Sequence, residues 1–268
     1  MYKTILITGA TDGIGFATAK MLVAAGHHLL LHGRSDKKLL ETKQKLLTDN
    51  PDVQLDTYLA DLSDLKRVNS FADEVLTKHQ HLDVLINNAG VLKSENPITQ
   101  DGLDIRFVVN CIAPYLLTKK LRPILTESSR VINLSSAAQA PLDFAALVGD
   151  KRALNDMDVY AQSKVAITSW SRTLGLESPP EAAVIAVNPG SLLASNMVKQ
   201  GFGIAGSDIN IGAEILKRAA LSDEFASASG QYYDNDSQQF AKPHSNAVDA
   251  TVAQRLIEAM DKIIAELV

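Results

Sequence analysis

Short apolar runs recur along this chain with longer amphipathic stretches between them, and this alternation limits the fold more than any other feature. TILIT (4–8), HLLLH (28–32), VQLDTYLA (53–60), LDVLINN (82–88), RVINLS (130–135) and AAVIAVN (182–188) are strand-sized. IGFATAKMLVAAG, LKRVNSFADEVLTKH and VAITSWSRTLGLE are helix-sized. Strand followed by helix, repeated, means βαβ units and hence a parallel sheet with helices on both faces. The runs are apolar almost throughout rather than at every second residue, as expected of strands buried on both sides. No linker, low-complexity tract or charge block divides the 268 residues, so the reading is one α/β domain with a doubly wound parallel sheet. Two excursions break the rhythm, 137–159 and 195–212, the second holding Gly201, Gly203, Gly206 and Gly212. Long excursions in compact domains are commonly functional.

Bulk charge narrows the partners. A formal net charge of -5 argues against binding nucleic acid or an anionic membrane surface through general basicity. No apolar run reaches the length of a membrane span, and MYKTILITG lacks the charged start, apolar stretch and cleavage site of a secretory signal. Cys111 is the single cysteine, which excludes an intrachain disulfide and a cysteine-rich zinc site; a cytoplasmic setting is the expectation. The six histidines have no metal-ligand spacing, and no metal is expected.

Chemistry begins directly after the first apolar run, at TGATDGIG, with Gly9, Gly13 and Gly15 leading into a helix that ends near Gly26. Glycines at a strand-to-helix turn let the backbone bend sharply and approach a diphosphate, and the helix N-terminus offers unpaired N–H groups. The spacing is GxxxGxG rather than GxGxxG. The end of the second run bears on which dinucleotide binds, because a carboxylate there holds the ribose hydroxyls of NAD and a guanidinium pairs with the 2'-phosphate of NADP. The sequence is LLLHGRSDKK: Gly33 stands where an acid would, and Arg34 follows. Arg34 is read as the phosphate partner, and Lys37 and Lys38 as the solvated start of a helix capped by Ser35.

A further pattern is YAQSK, which sets Tyr160 one helical turn before Lys164 on a common face, 24 residues after Ser136 in LSSAA. Alone the spacing is compatible with an ordinary half-exposed helix face. Together, and in this order, TGATDGIG, NNAG (87–90), LSSAA, YAQSK and NPG (188–190) resemble the short-chain dehydrogenase/reductase family, over essentially the whole length from Thr4 to about Phe240.

The resemblance implies a single Rossmann-type domain with a seven-stranded parallel sheet and an NAD(P)-dependent oxidoreductase acting on CH–OH or C=O, and Arg34 favours NADP(H) over NAD(H). It implies a cofactor site of Gly9, Thr11, Asp12, Gly13, Ile14, Gly15, Arg34, Asp61, Leu62, Asn88, Ala89, Gly90, Tyr160, Lys164, Pro189, Gly190, Leu192 and Ser195. Asp12 replaces the family's usual serine or basic residue. Ser195 supplies the family's threonine hydroxyl only if one residue is inserted, since Ala194 holds the ungapped position. Asn87 is read as tying strands together.

The catalytic tetrad implied is Asn110, Ser136, Tyr160 and Lys164. Tyr160 would exchange the proton, with its pKa drawn below the usual ~10 by the nearby ammonium. Ser136 would hydrogen-bond the substrate oxygen, and Asn110 would link Lys164 to solvent through its helix backbone and a water. The long gap from Ser136 to Tyr160 is shared with the retinol dehydrogenase and WW-domain oxidoreductase branch, which points to a lipophilic small molecule. The stretch 195–220 is expected to form a substrate lid. A homodimer or homotetramer is the family expectation. Two other readings are an NADP(H)-binding sensor without turnover and a non-redox enzyme on the same fold.

Overall fold

The computed structural model describes residues 2–152, 155–177 and 182–268, so part of the 137–159 excursion, residues 153–154, lies outside the described residues. Its strands are β1 (Thr4–Ile7), β2 (His28–Gly33), β3 (Leu55–Leu59), β4 (Val84–Asn87), β5 (Arg130–Leu134), β6 (Ala183–Asn188), β7 (Tyr232–Asp234) and β8 (Gln239–Ala241). The helices are α1 (Gly13–Ala24), α2 (Asp36–Asp49), α3 (Leu65–Lys78), α4 (Ile105–Phe107), α5 (Ala113–Leu121), α6 (Phe144–Leu147), α7 (Asp156–Leu176), α8 (Asn196–Phe202), α9 (Asn210–Leu221), α10 (Ser245–Val248) and α11 (Ala250–Leu267). A π-helical turn, Val108–Ile112, joins α4 to α5.

The sheet runs in the order β3-β2-β1-β4-β5-β6-β7-β8. Seven strands are parallel, as the resemblance implies, and β8 adds an antiparallel eighth, which corrects the expected count. The order reverses between β1 and β4. In an open parallel sheet, a crevice opens at the carboxyl ends of the strands at such a point, and ligands bind there.

Alternate strand residues feed two apolar layers. Leu6, Leu30, Leu85, Val131 and Val184 join one core with Val68, Phe71, Tyr115 and Trp170. Ile5, Ile7, Leu29, Leu31, Ile86, Ile132 and Ile185 join the other with Leu22, Leu216 and Phe225. Both layers being dry explains why the strands read as unbroken apolar runs.

α11 closes the first layer by burying Leu256, Met260 and Ile263, and its Asp261 accepts from the Tyr115 hydroxyl at 3.0 Å. Cys111 is buried in this layer, with its sulfur 3.7 Å from that of Met260, and burial pushes its thiol up to about 12, so it stays an un-ionised core residue. Among the described residues no helix is long and apolar enough to cross a membrane, and no cluster of His, Cys, Asp or Glu could hold a metal.

Candidate active site

The crevice at β1 and β4 is floored by the glycine turn. Gly9 (φ 66°) and Gly13 (φ 55°) occupy the left-handed region, which glycine enters without a steric penalty. The Asn88 side chain donates to Thr8 O (2.8 Å) and Gly9 O (3.1 Å), fixing the turn from the end of β4. A Cβ at Gly15 would lie 2.3 Å from Gly9 O and 2.4 Å from Asn88 Nδ2. Gly15→Ala is therefore expected to cost about 1–3 kcal/mol in chemical denaturation, since both obstacles are fixed, and to weaken dinucleotide binding in a fluorescence titration.

His32, unremarked in the sequence, supports the turn from β2. Its Nδ1 accepts from Gly9 N at 3.2 Å, so Nε2 carries the proton and donates to Ala60 O at 3.1 Å. Burial lowers its pKa to about 4, which keeps the ring neutral at ordinary pH.

The residues fit a dinucleotide. The first N–H groups of α1 have no partner within the helix, and Asp12 takes only one of them, Gly13 N, at 2.7 Å. This cap gives the unexpected acid a local purpose. Its other oxygen accepts from Asn196 Nδ2 at 2.5 Å, joining the turn to α8.

At the end of β2, a Cβ on Gly33 would lie 2.8 Å from Thr11 Cγ2 and 3.1 Å from Leu39, so there is no room for a carboxylate at this position. Arg34 is exposed and makes no hydrogen bond or ion pair among the described residues, leaving its guanidinium available. Ser35 caps α2 through Lys38 N, and Lys37 and Lys38 are exposed. Asp61 Oδ1 accepts from the Ser63 backbone and hydroxyl, and Leu62 is buried beside it. Asn87 donates to Asn133 Oδ1 at 2.8 Å, which ties β4 to β5 as expected.

Ser136, two residues past β5, neighbours Tyr160 on α7. Burial raises the Tyr160 pKa, and a hydrogen bond with the Ser136 side chain offsets part of that rise. This corrects the expected direction. The Lys164 ammonium donates to Leu134 O at 2.7 Å and sits 5.4 Å from the Tyr160 ring centroid, so it is directed at the strand end. Burial lowers the Lys164 pKa to about 8. Ser135 is committed elsewhere: its hydroxyl bonds Thr168 Oγ1 at 2.6 Å and Lys164 O at 3.3 Å, anchoring β5 to α7. That leaves the half-buried Ser136 as the one facing the phenol.

Asn110 lies in the π-helical turn, a distortion frequent at functional sites. Its side chain pairs both ways with the Val91 backbone, accepting from N at 2.7 Å and donating to O at 2.9 Å, and also donates to Ser163 Oγ at 3.0 Å. The Ser163 hydroxyl in turn donates to Tyr160 O at 2.7 Å. Ser163 thus couples the π turn to α7; the signal was its place between the tyrosine and lysine of YAQSK. A Cβ on Gly90 would be 3.4 Å from Asn110 Oδ1 and 3.8 Å from Lys164 Nζ, so Gly90 keeps the crevice open between them.

The segment after β6 roofs the crevice. Leu192 takes a left-handed φ of 51°, and beyond this kink Ser195 lies with its Cβ 3.7 Å from a Cβ position on Gly13. Ser195 caps α8 through Val198 N, whereas Ala194 is exposed and bonds by its backbone to Ser207. Met197 reaches within 3.6 Å of a Cβ position on Gly90. At α9, Asp208 takes the Asn210 N–H at 2.9 Å. The 137–159 excursion carries the short α6, and Gln139 and Tyr232 both donate to Ser136 O.

A sequence model of the short chain dehydrogenase family matches residues 3–202. Human "Retinol dehydrogenase 13" is 31% identical over 275 residues, 95% of this chain and 82% of that protein. The Brassica napus "Short-chain dehydrogenase TIC 32 A, chloroplastic" is 29% identical over 291 residues, covering 99% and 90% of the two chains. A solved structure from Mycobacterium paratuberculosis superposes with a TM-score of 0.82 at 25% identity over 98% of this chain and 93% of that one. A short chain dehydrogenase from Burkholderia cenocepacia, solved with NADP, gives 0.69 at 23% identity, covering 88% and 96%. The five motifs, the crevice they line and these likenesses agree: the chain belongs to the short-chain dehydrogenase/reductase family and is an NAD(P)-dependent oxidoreductase.

Proposed function

We propose that the protein is an NADP(H)-dependent carbonyl reductase or alcohol dehydrogenase in which Tyr160 is the acid/base and the substrate is a lipophilic small molecule. The observation that carries this reading is the pairing of Tyr160 and Lys164 one turn apart on α7, with the ammonium 5.4 Å from the phenol ring and bonded to Leu134 O at the end of β5, two residues before Ser136. The bound nicotinamide supplies or receives hydride. The protein's own residues manage the oxygen and its proton.

Ser136 donates a hydrogen bond to the substrate oxygen and stabilises the charge that builds there during reduction. Tyr160 gives that oxygen its proton, and burial keeps the phenol protonated at neutral pH, the form reduction requires. Gly9, Thr11, Asp12, Gly13, Ile14 and Gly15 would hold the diphosphate side, Asp61 and Leu62 the adenine, and Asn88, Ala89, Gly90 and Lys164 the ribose. Pro189, Gly190, Leu192 and Ser195 would contact the nicotinamide. Asn110 orders the π turn and, through Ser163, α7. The stretch 195–220 acts as the lid, and exposed Ile204 and Ile211 give it apolar surface suited to a lipophilic substrate. The retinol dehydrogenases among its relatives support that substrate class.

Consumption of NADPH across aldehydes, ketones, retinoids and steroids tests the reading. Binding of NADPH without oxidation on any of them would favour a sensor; conversion of a substrate without NADPH consumption would favour non-redox chemistry. Arg34, exposed and without an ion pair among the described residues, supports the NADP(H) preference. Arg34→Ala is expected to lower the ratio of kcat/KM for NADPH over NADH by about 10- to 100-fold, the worth of a charge-assisted bond to phosphate. An unchanged ratio would remove Arg34 from cofactor choice.

A further inference from the structure

We propose that Asp236, in the turn between β7 and β8, is a positioning residue for hydride transfer that clamps loop 188–191. The proposal rests on the function above, which assigns that loop to the nicotinamide.

The turn meets the loop residue by residue. Asp236 Oδ1 accepts from Ser191 N at 2.8 Å, and its Oδ2 accepts from the Ser191 hydroxyl at 2.6 Å and from Asn188 Nδ2 at 2.9 Å. Asn188 Nδ2 also reaches Asp234 Oδ1 at 2.7 Å. The buried Asn235 donates by its side chain to Pro189 O at 2.9 Å and by its backbone to Asn188 O at 3.1 Å. Among the described residues, the three bonds that the Asp236 carboxylate accepts all come from the loop and none from its own hairpin. A residue that merely shaped the β7–β8 turn would be bonded the other way round.

The backbone next to the clamp shows what it does. Leu192, immediately after Ser191, holds a left-handed φ of 51° while 44% exposed, so burial of its side chain alone does not account for it. For a leucine that conformation costs about 1–2 kcal/mol, and it persists only where neighbours are fixed on both sides. On one side stands Asp236. On the other, Ser207 N donates to Leu192 O at 2.8 Å and Ala194 N donates to Ser207 O at 2.7 Å. Burial works against ionisation of Asp236, but the bonds from Ser191 and Asn188 outweigh it and hold the carboxyl below its ordinary range. Asp236 therefore fixes the path of the chain from Gly190 into α8, and so the surface that the nicotinamide would meet.

Because Asp236 and Ser191 are exposed, their variants should fold. The full chain carrying Asp236→Asn or Asp236→Ala is compared with wild type in two measurements. Amide hydrogen exchange in cofactor-free protein is expected to speed up by about tenfold or more across 189–195, with little change elsewhere. In steady-state reduction, kcat is expected to fall by about 10- to 100-fold, as for a small misplacement of reacting groups, with a rise in the isotope effect from deuterated NADPH. The KM for NADPH should move much less, since the glycine turn still binds the diphosphate. Ser191→Ala combined with Asp236→Asn should cost less than the sum of the two. An active wild type with Asp236 variants of unchanged kcat and isotope effect overturns the role of Asp236 alone. Unchanged exchange at 189–195 also overturns it. A wild type that neither binds NADPH nor reduces a carbonyl overturns the function itself, and the role of Asp236 falls with it.

Discussion

Tyr160→Phe is expected to bind NADPH as the wild type does and to lose turnover by about 10²- to 10⁴-fold, the usual contribution of a placed proton donor. The substitution removes one oxygen and keeps the ring. The ring lies on α7 with the Lys164 ammonium 5.4 Å from its centroid, and the buried lysine is held by Leu134 O. Ser136, Lys164 and the glycine turn therefore stay in place for the cofactor. Retained NADPH affinity with lost oxidation of NADPH in the presence of carbonyl assigns the phenol to proton transfer. Turnover equal to wild type would remove Tyr160 from the chemistry and leave Ser136 or a water as the donor.

The same site sets an expected pH dependence. Burial lowers Lys164 to about 8, so the free enzyme loses this ammonium as pH rises through that value. Burial raises Tyr160, so the phenol remains protonated over the same interval. With the ammonium proposed to hold the cofactor ribose, kcat/KM for reduction is expected to fall above pH of about 8, and the limb to disappear in Lys164→Met. A basic limb that persists in that variant would belong to another group.

How much of this was readable before the fold was known depends on whether the signal is local. Of the six strands that were visible, β1, β2, β4, β5 and β6 are apolar runs buried on both faces, whereas β3, at the sheet edge, buries only Leu55 and Tyr58. β7 and β8 are three residues each within the polar QYYDNDSQQFA, so neither periodicity nor apolar length marks them. Their turn nonetheless supplies Asp234, Asn235 and Asp236 to loop 188–191. The glycine turn was legible because its constraint is steric and lies within seven residues. Gly33 was noticed as an absent acid, but its reason, the Thr11 methyl leaning across the end of β2, is a contact between distant segments. The direction of the Tyr160 pKa was misread for a similar reason: spacing along a helix places Lys164 nearby, whereas burial decides the direction and the ammonium is turned to the Leu134 carbonyl.

Arg106 is the strongest case of a residue hidden from the sequence, where it reads as one more charge in DGLDIRF. Arg106→Met is expected to destabilise the protein by about 3–5 kcal/mol, the cost of leaving one partner of a buried pair alone. The guanidinium is 6% exposed, and its Nε and Nη2 donate to the two oxygens of Asp104 at 2.8 and 2.6 Å. Nη1 bonds Asp156, the first residue of α7, and Leu92 O at 3.5 Å. One side chain thus joins the segment after β4, the start of α4 and the N-terminus of the helix that carries Tyr160 and Lys164. Methionine fills similar space but leaves the Asp104 carboxylate, only 11% exposed, without its counter-ion. Adding Asp104→Asn removes that buried charge and should return much of the stability. It does not restore the tie to Asp156, so turnover in the double variant should stay below wild type while denaturation midpoints recover. A single variant that costs less than about 1 kcal/mol would mean that the pair is solvated like an ordinary surface ion pair. Recovery of both stability and turnover in the double variant would mean that α7 needs no anchor beyond its own packing.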